Sequence, residues 1–283
     1  MKSFVTGLLI WLMTSCSSVF FVPDRHLIRT PDMIGLQYEN VSIDVEGGDR
    51  LHGWLLPGEP PVKGTIVFLH GNAQNISYHI ASVHWLPRQH YNVLLYDYRG
   101  FGKSTGEPSI LQSIDDFAAV MAELQQRIGE EDHRVVVLGQ SLGAALAISA
   151  VAKWKSRYTF DATVLDSAFS DYRLIAKEKM AEVFWLKPFT FLVPLFIPGT
   201  PDITADIARL SPIPVLLIHG KKDQIIPWQH SKRLYAAARK PKQLWLQPDA
   251  RHIAAFADKT LRKRLLDYLD SVIKTVPSAH QSQ

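Results

Sequence analysis

Five short stretches of this chain are apolar almost from end to end, and long segments with helical spacing separate most of them. They are Thr65–Leu69, Asn92–Tyr96, Arg134–Leu138, Ala162–Leu165 and Val215–Ile218. A strand that is apolar on both faces must be covered on both faces, which points to a parallel sheet between two layers of helices. Parallel neighbours need crossover connections, and these are supplied here. Ile110–Ile128 places Ile114, Phe117, Val120, Met121 and Leu124 along one face. Helices are also expected over Ile76–Gln89, Ser141–Trp154, Gln229–Ala238 and Ile253–Ile273, and a further strand over Gln243–Leu246. Ahead of the parallel strands, Val41, Ile43 and Val45 alternate with polar residues. The turn Glu46-Gly47-Gly48-Asp49 then leads to Leu51–Leu56, so an antiparallel hairpin opens the fold.

Composition narrows the class further. The chain has 283 residues, 47% hydrophobic and 20% charged, which excludes a disordered chain. A single cysteine excludes an internal disulfide, so the fold rests on its core. The net charge of +4 arises from 31 basic against 27 acidic residues, with no basic and aromatic stripe to focus it, so no nucleic-acid partner is expected. His79, His84 and His90 lack metal-binding spacing and cysteine partners, and no metal is expected. One insertion, about 172–207, holds Phe184, Trp185, Phe189, Phe191, Leu192, Leu195, Phe196 and Ile197, interrupted by Pro188, Pro194 and Pro198. It is too aromatic for a solvated loop, so it packs on the sheet or covers a site.

The first residues carry a different signal. One lysine precedes an apolar run from Phe4 to Met13, shorter than the roughly 20 residues of a membrane span. Thr14 and Ser15 then precede Cys16. This layout resembles the signal of bacterial lipoproteins, in which cleavage before the cysteine is followed by its lipidation. The resemblance implies a signal over 1–15, a tether over 16–37 and membrane attachment through Cys16. With no Asp at position 17, it implies outer-membrane sorting; an inner-membrane anchor or a secreted form are the alternatives.

The residues that carry chemistry follow the strand Val135–Leu138. Gly139-Gln140-Ser141-Leu142-Gly143 is Gly-x-Ser-x-Gly between a strand and an Ala-rich helix. A turn that tight strains the serine backbone, demands glycine where other chain passes, and lifts the hydroxyl above a helix N-terminus. The Leu142 amide then points at an oxyanion formed there.

With His70-Gly71-Asn72-Ala73 and Asp97-Tyr98-Arg99-Gly100-Phe101-Gly102-Lys103-Ser104 in order before it, the sequence resembles the α/β-hydrolase-fold serine hydrolases. Its likeness is to the short-cap branch of serine aminopeptidases, dienelactone hydrolases and membrane-attached acyl-thioesterases. The resemblance implies an α/β-hydrolase domain over 38–275, with a mostly parallel central sheet, helices on both faces, a cap insertion at 172–207 and a flexible tail at 276–283. It implies a triad of Ser141, the acid Asp223 in His219-Gly220-Lys221-Lys222-Asp223, and the base His252 in Asp249-Ala250-Arg251-His252. Asp166, at the end of the preceding strand, is a rival acid. The family often has glycine at position 250 or 251, so this loop's path departs from the pattern. The oxyanion hole would combine the amides of Leu142 and Asn72, with Ala73 the alternative to Asn72. His70 would shape that loop, and Asp97 and Arg99 would bond beneath the site. Trp85, Trp185 and Trp228 are the tryptophans expected near a substrate path.

Such a site needs no cofactor. It implies hydrolysis of a small carboxylic ester or thioester through an acyl-serine. A peptidase or amidase is a second possibility, for which the insertion offers only Glu178 and Glu182 nearby to bind an amino terminus. A non-catalytic lipid- or partner-binding module is a third.

Overall fold

The computed structural model describes residues 20–128, 134–197 and 199–273. The expected signal, Cys16 and the tail at 276–283 lie outside the described residues. The main sheet has eight strands: β1 (Glu39–Asp44), β2 (Arg50–Leu56), β3 (Gly64–Leu69), β4 (Tyr91–Tyr96), β5 (Val135–Gln140), β6 (Ala162–Asp166), β7 (Val215–Gly220) and β8 (Lys242–Gln247). Their order is β8-β7-β6-β5-β3-β4-β2-β1. The β1–β2 and β2–β4 pairs are antiparallel and all others are parallel. The hairpin and the parallel sheet therefore stand as the apolar pattern predicts.

The longer helices are α1 (Ile110–Ile128), α2 (Leu142–Trp154), α3 (Tyr172–Glu182), α4 (Ile203–Arg209), α5 (Gln229–Ala237) and α6 (Lys259–Val272). Successive strand residues point to opposite faces, so each central strand feeds two cores. Val67, Leu69, Val135 and Val137 join a cluster with α1 and α2. Ile66, Phe68, Val136 and Leu138 join a second cluster with Trp85 and α6. Helix α2 is buried from Leu142 to Val151, which explains its lack of a polar face. Arg99 fastens the hairpin turn to the first core. Its guanidinium donates two 2.8 Å bonds to the Asp116 carboxylate on α1 and further bonds to Asp49 and the Glu46 carbonyl.

Three segments differ from the expectations. Residues 76–89 do not form one helix but a helical turn at Ile76–His79 and 3₁₀ turns at Ile80–Ser82 and Pro87–Gln89. The apolar stripe is real, since Ile76, Ile80, Val83 and Leu86 are all buried. The ladder nevertheless fails, because the His84 and Trp85 rings donate to the Ala81 and Ser82 carbonyls and Pro87 has no N–H to give. The last helix starts at Lys259, not Ile253, because the Asp258 side chain caps it by accepting from the Thr260 amide at 2.7 Å.

The third difference is in the region read as a tether. From Phe20 onward the chain is docked. Val22 and Pro23 pair in parallel with Ala73 and Gln74, and Phe21 is buried edge-on against Tyr98 and Phe101. Asn75 donates to the carbonyls of Asp24 and His26, and the Ile28 amide donates to Ser77 Oγ. Two adjacent apolar aromatics are poorly suited to a solvated linker, and this pair finds a core. Among the described residues, no helix is long and apolar enough to cross a membrane.

Candidate active site

The parallel strands all run their C-terminal ends to one edge of the sheet, where ligands bind in open α/β sheets. Register brings those ends together in steps. Leu69 pairs with Gly139, Gln140 with Asp166, Asp166 with Ile218, and Gly220 with Gln247. The loops that follow hold residues 70–73, Ser141, Ser167, Asp223 and His252, so all the expected site residues share this edge.

Ser141 sits between β5 and α2 with φ 55° and ψ −118°, a conformation that L-residues rarely adopt. Neighbouring backbone holds it there. The Ser141 amide donates to the Asp166 carbonyl at 2.9 Å, and its own carbonyl accepts from the Ala144 amide. The two glycines of the motif are required by contact. A Cβ on Gly139 would lie 2.6 Å from Ala144 Cα, and one on Gly143 would collide with the carbonyl oxygens of Leu69 and His70. Gly143→Ala is accordingly expected to lower Tm by about 10 °C or to prevent accumulation of soluble protein, as thermal unfolding will show.

His252 and Asp223 form the other half of the site. His252 Nδ1 lies 2.7 Å from Asp223 Oδ2, and the Asp223 side chain is buried. Burial by itself would raise the Asp223 pKa. Hydrogen bonds from His219 and His252, with the Ile226 amide, outweigh it and hold the carboxyl well below the usual range. Asp223 Oδ1 accepts from the amides of Ile225 (2.8 Å) and Ile226 (2.9 Å), which fixes the plane of the carboxylate.

His219 was not singled out as a site residue by the sequence, yet it is the second histidine on this acid. Its Nε2 lies 2.9 Å from the Ile226 carbonyl and 3.2 Å from Asp223 Oδ2. A carbonyl can only accept, so Nε2 carries the proton, and Nδ1 accepts from Ser231 Oγ at 2.7 Å. The next residue after His252 is also held: Ile253 has φ 47°, strained for a β-branched side chain, and its amide donates to Ser167 Oγ.

The rival acid Asp166 is fully buried. It accepts from Gln140 Nε2 at 2.9 Å and from Ser167 Oγ at 3.1 Å, and burial raises its pKa despite these bonds. The titratable groups below the serine are shifted toward their neutral forms as well. Burial, aided by His79, drives the His70 pKa well down, while burial drives that of Asp97 up. His70 Nδ1 donates to the Gly71 carbonyl, and Asp97 Oδ1 accepts from the Ile76 amide, so both brace the loop from 70 to 76.

Ser141, Leu142 and Asn72 line a cavity of about 470 Å³. Its other walls are apolar: Phe20, Phe169, and Ile175, Met180, Val193 and Ile197 from the insertion, with Lys179 the sole charged residue among the described residues that line it. The insertion therefore covers the site. Helix α3 is tied to the body through Glu178, which accepts from His230 Nε2 at 2.8 Å while His230 Nδ1 accepts from the Ser170 amide. Phe20 is a wall residue that the tether reading missed, and the signal for it was the Phe20-Phe21 pair itself. None of the three tryptophans expected near the substrate path lines the cavity. Trp85 is buried against Phe256, Trp228 precedes α5, and Trp185 is exposed beside the insertion's aromatics.

His252 and Asp223 stand outside the cavity lining, on neighbouring loops. Gly71 links the two halves. A Cβ there would lie 3.8 Å from Ser141 Cβ and 3.2 Å from His79 Cε1, and His79 is within electrostatic reach of His252. The Ser141 hydroxyl makes no hydrogen bond to any described residue, His252 included.

Comparison with known proteins places this geometry. A family model described as serine aminopeptidase, S33, matches residues 60–198. The uncharacterized protein YfhR of Escherichia coli (strain K12) is 36% identical over 277 residues, covering 95% of this chain and 93% of that one. The α/β-hydrolase domain-containing protein WAV2 of Arabidopsis thaliana is 31% identical over 238 residues, covering 79% of this chain and 75% of WAV2. The chain belongs to the α/β-hydrolase family. Among solved structures, the Pyrococcus furiosus esterase Pf2001 superposes with a TM-score of 0.72, covering 89% of this chain and all of the esterase at 24% identity. That likeness is one of fold.

Proposed function

We propose that this α/β-hydrolase is a serine hydrolase that cleaves carboxylic esters or thioesters bearing an apolar acyl group. The observation that carries the reading is the strained Ser141 opening into an apolar cavity while His252 and Asp223 share a 2.7 Å bond on adjoining loops. Family membership supports hydrolase activity, and the residues supply the steps.

His252, oriented through Nδ1 by Asp223, presents Nε2 as the base that takes the Ser141 proton when a substrate brings the two together. Such catalytic hydrogen bonds often tighten only in the substrate complex. The serine oxygen attacks the acyl carbon, and the oxyanion is received by the Leu142 and Asn72 amides, each donor worth about 3 kcal/mol in the transition state. Protonation by His252 releases the alcohol or thiol. Water, deprotonated by His252, then frees the acid and restores Ser141.

The description of the family model favours a peptidase as the second reading. An aminopeptidase needs a free carboxylate near the serine, and those of the insertion are engaged: Asp202 accepts from the Ala205 amide and Asp206 from Ser149 Oγ. Glu178 holds His230 and Glu182 holds Lys179. The cavity walls suit an acyl chain better.

The test has two parts. A fluorophosphonate probe should label the protein at one site, recovered in the peptide containing Ser141. A panel of aryl esters and acyl thioesters of increasing chain length should show kcat/KM rising from acetyl to medium chains, by about threefold for each added methylene until the cavity is filled. A preference for peptides with a free amino terminus would replace this reading with the second.

A further inference from the structure

The aromatic insertion has two kinds of surface. Its inner side lines the Ser141 cavity, and its outer side leaves large apolar groups in the open. Phe184, Trp185, Phe191 and Leu195 are 79%, 75%, 71% and 69% exposed. Together with Phe189 they make an apolar rim on the segment that forms the cavity wall at Val183, Leu186 and Val193. Monomeric soluble surfaces seldom gather such residues without a partner. Residues 183–200 also contain one lysine and no carboxylate. The rim is therefore apolar and weakly basic, a combination suited to the interface of a bilayer containing anionic lipid.

A second observation comes from the other end of the chain. Phe20 lines the same cavity, and the strand it begins is fixed to the oxyanion loop by the Val22 amide, which donates to the Asn72 carbonyl at 2.7 Å. Cys16 is four residues before Phe20. At about 3.5 Å per residue the chain between them spans at most ~14 Å, whatever path it takes. A lipid carried on Cys16 would thus meet the membrane within that distance of the cavity wall that Phe20 forms, and the apolar run Phe4–Met13, which ends seven residues before Phe20, would enter it within about 25 Å.

We propose that the rim formed by Phe184, Trp185, Phe189, Phe191 and Leu195 docks on the lipid bilayer, with the N-terminal segment inserted beside it, so that the Ser141 cavity receives acyl substrates directly from the membrane. The substrate class is then a membrane-resident ester or thioester, whose acyl chain slides into the cavity while its polar portion stays at the interface. The docking rests on the two observations above. The substrate assignment rests also on the serine-hydrolase reading.

The experiment uses the full chain reconstituted into phosphatidylethanolamine–phosphatidylglycerol vesicles, with and without brominated acyl chains. Bromine quenches tryptophans that enter the bilayer. The Trp185→Phe protein should lose a clear share of the wild-type quenching; Trp11, in the apolar run, is common to both and cancels. Equal quenching in the two proteins overturns the proposal. So does a Trp185 that is shielded without bromine quenching in a protein that sediments as a dimer, which would assign the rim to a second copy.

A Phe184→Ser, Trp185→Ser, Phe191→Ser triple variant separates the steps. It should lose about tenfold in hydrolysis of a long-chain ester embedded in vesicles, yet remain within about twofold of wild type on a soluble butyrate ester. An unchanged rate on the embedded ester, or an equal loss on both, overturns delivery from the membrane. The quenching needs no turnover, so it decides the docking even if the wild type hydrolyses no ester, a result that would overturn the catalytic reading instead.

Discussion

Ser141→Ala is expected to abolish fluorophosphonate labelling and to reduce ester turnover by about 10⁵- to 10⁶-fold, since loss of a serine nucleophile costs nearly as much as loss of a whole triad. The cavity would be nearly unchanged, because only one oxygen is removed from a residue that is 7% exposed. Binding of a product acid should therefore survive in the variant, separating the chemical step from the pocket. Stability supplies an independent readout. Alanine keeps the Cβ and so keeps the strain at φ 55°, whereas Ser141→Gly removes it. Strain of this kind is worth about 1–3 kcal/mol, and the added freedom of glycine in the unfolded chain subtracts about 0.5–1, so the glycine variant should be the more stable of the two by roughly 1 kcal/mol. A pair of inactive variants in which glycine melts higher than alanine would show that the backbone strain is present and serves the serine. Undiminished labelling of the alanine variant would remove Ser141 from the mechanism.

The elements legible in the sequence were those in which one periodicity ran without interruption. The β5 strand, the elbow and α2 follow from Val135-Val136-Val137-Leu138, two glycines that must make room for passing backbone, and a helix buried from Leu142 to Val151. The Asp223 and His252 loops were placed by their flanking motifs, and the structure brings the two side chains together. What the sequence did not carry were contacts made across the sheet edge by side chains with ordinary local surroundings. His219 sits at the end of an apolar strand and reads as part of it until β7, α5 and the acid loop fold around its two nitrogens. Phe20 and Phe21 read as a tether because their partners, Tyr98, Phe101, Phe169 and Tyr172, lie far along the chain. The break-up of 76–89 was likewise hidden. Its apolar spacing is that of a helix, and only the ring hydrogen bonds of His84 and Trp85 turn it into separate turns.

Asp223→Asn and Asp166→Asn should differ by about a thousandfold in their effect on kcat/KM, and the reason lies in which atoms each carboxylate serves. In Asp223, Oδ1 is occupied by two backbone amides, those of Ile225 and Ile226. An asparagine there must keep its single oxygen toward those amides, because turning over would face its NH₂ against two N–H donors. Its NH₂ is then forced toward His252 Nδ1 and the Nε2–H of His219, where Oδ2 now accepts. Against His219 that is donor against donor. Against His252 it stabilises the tautomer that places the proton on Nε2, the nitrogen needed as base. The expected loss is about 10⁴-fold, the magnitude that the wrong tautomer brings in a serine-histidine-aspartate site. Asp166 has no such constraint. Burial already favours its neutral form, and an asparagine oxygen can still accept from Gln140 Nε2 while its NH₂ faces Ser167 Oγ, a hydroxyl able to accept. A loss of about tenfold or less is expected there, arising from the shared contact of Ser167 with the Ile253 amide beside His252. Steady-state rates on the preferred ester, with circular dichroism to confirm that both variants fold, decide the matter. The reverse order would move the acid to Asp166, and equal losses would mean that neither carboxylate orients His252.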